Sequence, residues 1–185
     1  MSASPIPDEW YKLGPFTVFD LETTGMSATR DSVVEIAAIR IGADNVRSRF
    51  QTLVNPGHSI HPKLTAIHGI DDAMVADAPA FAAAGSEFLA FAAGSTLVAH
   101  NARFDLSFLQ ESLNRHGVDL WTGKTLDSLV LVKRAYPGLP SYSLQNLRQT
   151  FALDHEVGPA HRAFADVEWT LEILAMSLKR ILNLC

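Results

Sequence analysis

Four carboxylates and a histidine fall in three short blocks of this chain, in an order that would suit metal-assisted hydrolysis. The blocks are Asp20-Leu21-Glu22-Thr23-Thr24-Gly25, His100-Asn101-Ala102-Arg103-Phe104-Asp105 and His161-Arg162-Ala163-Phe164-Ala165-Asp166. Each stands at the edge of an apolar segment, where a folded chain ordinarily avoids an unpaired acid. Carboxylates brought together repel one another unless a cation lies between them. A divalent-metal site is therefore the first expectation.

The spacing within the blocks supports it. Asp20 and Glu22 alternate along the end of a strand, so both side chains leave by the same face. Asp105 falls in the first turn of a helix, where exposed N–H groups favour an acid. Asp166 falls in the first turns of the last helix. Singly, each reads as a solvated or capping acid; together with two histidine blocks, the four ask for one cause. His161 and Asp166 are five residues apart, about 500° on an ideal helix, so their side chains would diverge by roughly 140°. They converge only if His161 precedes the helix, on the loop carrying Gly158 and Pro159. A loop histidine with a pKa near neutrality can serve there as a base.

The elements that must hold these blocks follow from the apolar pattern. Strands are expected over 16–20, 33–41 and 46–54, the last two joined as a hairpin through Gly42-Ala43-Asp44-Asn45, and further short strands over 96–99 and 124–127. The run 33–41 is apolar on both parities, as in a central strand covered on two sides. Short helical turns are expected over 62–67 and 71–75. Helices are expected over 80–91, from a cap at Asn101 to 116, and over 128–135, 143–151 and 162–182. Strands clustered early and helices crossing back later indicate a mixed α/β sheet with helices on both faces. Residues 1–14 read as an N-terminal arm anchored by Trp10 and Tyr11, and 15–183 as a single domain.

Composition narrows the class. The chain has 185 residues, 48% of them hydrophobic, which is ample for one core. A single cysteine, Cys185, excludes an internal disulfide framework and suits a reducing cytoplasm. No signal peptide and no membrane-length apolar run is evident. The net charge of −5 argues against a broad basic face for duplex binding. It leaves room to grip a strand end with a few cations, of which Arg30, Arg103, Lys124 and Arg162 lie near the blocks.

The three blocks resemble the Exo I, II and III motifs of the DEDDh, or DnaQ-like, 3′–5′ exonucleases, the group that includes proofreading subunits of bacterial replicative polymerases, RNase T and oligoribonuclease. The resemblance covers roughly residues 15–180, and Ile67-His68-Gly69-Ile70 is similar to a further segment common in the family. It implies an RNase H-like fold with a central five-stranded mixed sheet, the first three strands antiparallel. It also implies two metal ions, Mg²⁺ with Mn²⁺ as a substitute, held by Asp20, Glu22, Asp105 and Asp166, with His161 as general base. Oxygen ligands without a cysteine cluster speak against structural zinc.

For substrate contacts the resemblance points to the turn of Thr23, Thr24 and Gly25, with Met26 wedged against a base. His68 reads equally as a pocket wall or a turn stabiliser, and Phe104 equally as a stacking platform or core. Asn101 is expected to cap its helix and to bond substrate. His100 is expected to be structural, Asp127 to support the ligands, and His58, His61, His116 and His155 to be surface residues.

The implied activity is release of nucleoside 5′-monophosphates from the 3′ end of single-stranded nucleic acid, DNA ahead of RNA. An RNA-directed exoribonuclease of the RNase T or oligoribonuclease type is the alternative, since one or two pocket groups suffice to read a 2′-hydroxyl. A non-catalytic polymerase-associated binding subunit is a weaker one. A DNA polymerase or a second copy of the chain is the partner class the resemblance allows; no membrane partner is expected.

Overall fold

The two-residue alternation of strand side chains sends each strand's apolar residues to opposite faces of one sheet, and this sheet organises the chain. The computed structural model describes residues 9–153 and 162–182. Five strands, β1 (Phe16–Thr23), β2 (Val33–Ile41), β3 (Arg47–Leu53), β4 (Thr96–Ala99) and β5 (Thr125–Asp127), lie in the order β3-β2-β1-β4-β5. The pairs β1–β2 and β2–β3 are antiparallel, while β4 joins β1, and β5 joins β4, in parallel. The mixed sheet with three antiparallel strands first is thus the one expected. The first strand differs from expectation in running three residues past Asp20, and its pairing with β2 shifts register between Glu22 and Thr23. Such irregularities bend a strand and re-aim its side chains.

The helices are α1 (Pro62–His68), α2 (Asp72–Val75), α3 (Phe81–Ala92), α4 (Ala102–Arg115), α5 (Ser128–Ala135), α6 (Leu144–Thr150) and α7 (Ala163–Ile181). On one face of the sheet, Phe19, Leu21 and Ile36 pack against Phe88 of α3 and against Phe108 and Leu109 of α4. On the other, Phe16, Val18, Ala37, Ile39 and Ile41 meet Val167, Leu171, Leu174 and Leu178 of α7. The spacing of those α7 residues keeps one stripe on the sheet. Its other buried stripe, Ala165, Trp169 and Ile173, packs on Val132 of α5 and Leu147 of α6.

Trp10 belongs to this second core. It lies in a 3₁₀ turn, Trp10–Leu13, with its ring 6.0 Å from that of Phe16. The segment after β3 carries the short helical turns expected over 62–67 and 71–75, as α1 and α2, and is held by Ile60, Ile70 and Val75 packed on Val34. Gly69 ends α1 at φ 74°, a left-handed conformation that glycine adopts without strain.

Candidate active site

β1, β4 and β5 run parallel, and the three motif blocks gather around their carboxyl ends, where open α/β sheets commonly place ligands. Along the α7 face of β1 the alternation that buries Phe16 and Val18 continues into Asp20 and Glu22. Asp166 descends from the first turn of α7 onto the same place. Carboxylate oxygens of Asp20, Glu22 and Asp166 all lie within 4.8 Å of one another.

Asp105 approaches from α4 on the other side of β1. It is buried, and its Oδ1 accepts a hydrogen bond from the Leu21 N–H at 3.2 Å, tying it to the residue between the two β1 acids. It stands outside the close trio but within electrostatic reach of it. Burial first, then Asp105, Asp166 and Glu22, push Asp20 well above the usual carboxylate range. Glu22 is raised to about 8, by burial and then by Asp166 and Glu35. Asp105 is raised to about 7 by burial, against the Leu21 bond, which lowers it. Acids so placed hold protons at neutral pH unless a cation replaces them. The donor set is all oxygen and suits Mg²⁺ or Mn²⁺.

The turn after the ligands is tightly braced. Thr23 Oγ1 donates to the Gly25 carbonyl at 2.6 Å, and Thr24 exchanges bonds with Ser32. A Cβ on Gly25 would come within 2.3 Å of the Asp31 carboxylate, which itself accepts from the Ser27 N–H. At the tip, Met26 is 82% exposed. His68 is buried, its Nδ1 accepting from the Ile70 N–H at 3.1 Å, and its ring lies beside the Thr23 backbone. Its pKa is lowered, first by burial. It therefore stabilises its turn and also stands against the ligand strand. Phe104 packs on Phe108 at 4.9 Å and remains partly exposed at the rim of the core.

Asn101 departs from expectation. It adopts a left-handed conformation, φ 63°, and its side chain makes no cap bond to the helix it precedes. A capping side chain needs an extended backbone, which this position lacks. Asp127 instead accepts from the Asn101 N–H at 3.1 Å while capping α5 through Leu129 N–H at 2.9 Å. That leaves the exposed Asn101 side chain facing a cleft of about 550 Å³ shared with His100, Lys133, Tyr142 and Ser143. His100 is structural as expected, bonded to Ser128 Oγ and the Tyr142 carbonyl, each at 2.9 Å. Of the surface histidines, His61 caps α1 and His116 lies against Phe81. His155 and His161 lie outside the described residues. The helix carrying Asp166 starts at Ala163, so His161 precedes it in sequence.

One site residue escaped the sequence reading. Glu35 of β2 pairs directly across from Glu22, is wholly buried, and binds Arg162. Arg162, expected to be available for phosphate, is thus engaged. The available signal was a lone acid inside the apolar run Val33–Ile41.

The chain as a whole is similar to known proteins. The RNase_T family model, described as an exonuclease, matches residues 17–174. The chain is 38% identical over 160 residues to DNA polymerase III subunit epsilon of Treponema pallidum, covering 85% of this chain and 74% of that protein. It is 38% identical over 168 residues to the PolC-type DNA polymerase III of Caldanaerobacter subterraneus subsp. tengcongensis, spanning 91% of this chain but 12% of that polymerase. Among solved structures, Exonuclease X in complex with 5′ overhanging duplex DNA superposes with a TM-score of 0.68 at 28% identity, covering 91% of this chain and 93% of its own. Exonuclease I of E. coli in complex with a dA16 oligonucleotide shares the fold, with a TM-score of 0.77 at 21% identity, over 91% of this chain and 42% of that one.

Proposed function

The chain belongs to the RNase_T exonuclease family, and on that premise we propose that it is a 3′–5′ exonuclease that removes nucleoside 5′-monophosphates from single-stranded DNA ends. The convergence of Asp20, Glu22 and Asp166 within 4.8 Å is the observation that carries the reading. These three, with Asp105, would hold two divalent ions, Mg²⁺ or in its place Mn²⁺. Bound there, such ions would supply activation of the attacking water and stabilisation of the departing 3′-oxygen.

The chain's own groups supply the rest. His161 takes the proton of the attacking water. The water oxygen bonds to the terminal phosphorus as the bond to the 3′-oxygen of the preceding nucleotide breaks. The Thr23–Gly25 turn receives the terminal nucleotide, Met26 wedges at its base, and His68 and Phe104 wall the pocket. The arrangement receives one terminal nucleotide, so frayed and unpaired ends are the expected substrates. The Asn101 side chain grips the strand upstream. His161→Ala should lower kcat about 10²–10⁴-fold, the contribution of a general base, read from single-turnover rates.

DNA stands ahead of RNA in this reading because the relatives named above are a DNA polymerase and a DNA polymerase subunit, and Exonuclease X was solved in complex with DNA. We place the activity in the cytoplasm, either alone or beside a DNA polymerase, in keeping with a single cysteine suited to a reducing compartment. Oligonucleotides of one sequence, as DNA and RNA, labelled at either end, test the reading with Mg²⁺, Mn²⁺ or EDTA. Stepwise 3′ shortening of DNA that EDTA abolishes is expected. Faster cleavage of short RNA would transfer the assignment to an exoribonuclease, and no cleavage of either would favour a binding subunit.

A further inference from the structure

Glu35 is wholly buried on β2, opposite Glu22, yet nothing in the proposed reaction uses it as a ligand. Its oxygens are already occupied. Oε1 accepts from the Arg162 guanidinium and from Gln51 Nε2, each at 2.9 Å. Oε2 accepts from Arg162 Nε at 3.4 Å and from the Ala163 N–H at 3.3 Å. A buried carboxylate is costly unless paired and fully bonded, and here four donors from two other elements meet it.

Those bonds converge on the start of α7. Arg162 is the residue before its first turn and offers no side-chain cap of its own. The Ala163 amide is one of the N–H groups that a helix start leaves without an intrahelical partner, and Glu35 caps it across space. The Arg162 carbonyl in turn accepts the N–H of Asp166 at 3.3 Å. Two hydrogen-bonded steps therefore connect Glu35 to a member of the acid trio. A second tether, Arg49 to Glu168 at 2.9 Å, joins β3 to α7 slightly farther along, and its guanidinium also lies 4.9 Å from the Phe164 ring in the first turn, but Arg49 is 69% exposed, where solvent weakens an ion pair.

We propose that Glu35 is a positioning residue that, through Arg162 and Ala163, fixes the start of α7 so that Asp166 meets Asp20 and Glu22. The inference rests on the metal-site reading above. Its counterpart is the exposed Arg49–Glu168 pair, which meets the same helix from solvent.

The test uses the full chain as Glu35→Gln, Arg162→Met, their double variant, Arg162→Lys and the control Arg49→Ala. Mn²⁺ binding to metal-free protein is followed by calorimetry, thermal unfolding by circular dichroism, and kcat and KM on an end-labelled oligonucleotide. Glu35→Gln and Arg162→Met should each weaken Mn²⁺ binding about tenfold, the scale for groups that orient metal ligands. Each should lower kcat comparably while KM stays within about threefold. The double variant should be no worse than the weaker single, as for residues acting as one unit. Arg162→Lys should recover part of the loss, and Arg49→Ala should match wild type. If Glu35→Gln does not fold, the Arg162 variants, which leave the Ala163 bond in place, carry the test. Wild-type Mn²⁺ affinity in the folded variants, whatever their melting temperature, overturns the positioning role and leaves the exonuclease reading standing. A wild-type protein that takes up no Mn²⁺ overturns the metal site and the positioning role together.

Discussion

One face of β1 is divided between two kinds of residue. At its start Phe16 and Val18 meet Leu171, Leu174 and Leu178 of α7 in a closed apolar layer. Two and four residues after Val18, on the same face and beneath the same helix, stand Asp20 and Glu22, with Glu35 beside them on β2 and Asp166 above. The backbone pattern is continuous and only the side chains change. The apolar half gains stability by leaving water. The acidic half gives up stability, because its carboxylates are desolvated and repel one another. One half holds the helix down so that the other can be kept out of balance until a cation arrives.

Substitution separates the two halves most sharply. Asp20→Asn should reduce turnover by at least about 10³-fold, the several kcal/mol that metal-assisted stabilisation supplies, while the metal-free melting temperature stays level or rises. Leu174→Ala should do the reverse. It should cost about 2–5 kcal/mol of stability in a denaturant titration, with the activity of the molecules still folded unchanged. Equal loss of stability in both variants would erase the distinction between the halves.

Acid titration gives a smaller and graded effect. Glu22 near 8 and Asp105 near 7 lie above their values in the unfolded chain, so the folded protein retains protons that the unfolded chain releases. Their contribution is complete below the ordinary carboxylate range and is lost as pH rises through 7 to 8. In EDTA the melting temperature should fall between pH 5.5 and 8, and saturating Mg²⁺ should flatten that slope. A melting temperature that climbs over this interval in EDTA would contradict the sign. Asp20→Asn should shallow the slope without abolishing it.

The apolar half was legible in the sequence almost residue by residue. Val33–Ile41 and Thr96–Ala99 emerge with the bounds expected, because runs apolar on both parities admit no other burial. The acids of the trio were legible too, since each stands in a motif whose neighbours mark its element. What sequence left hidden depended on contacts between distant elements or on a single backbone angle. Glu35 reads as one more residue of an apolar strand until Arg162, 127 positions later, is seen to reach it. Asn101 reads as a helix cap because asparagine usually caps, and its left-handed φ, which removes that role, has no local signature beyond the residue type. Of the two roles open for His68, the turn-stabilising one is seen directly, its Nδ1 accepting from the Ile70 N–H.

The most direct measurement is anomalous diffraction from crystals grown with Mn²⁺ and a nucleoside 5′-monophosphate, at a wavelength near the manganese edge. Two anomalous peaks should appear among Asp20, Glu22, Asp105 and Asp166, with the phosphate of the nucleotide against them, and should be lost in Asp20→Asn crystals. A fully formed acid cluster without anomalous density, its nucleotide bound elsewhere, would contradict the two-metal site.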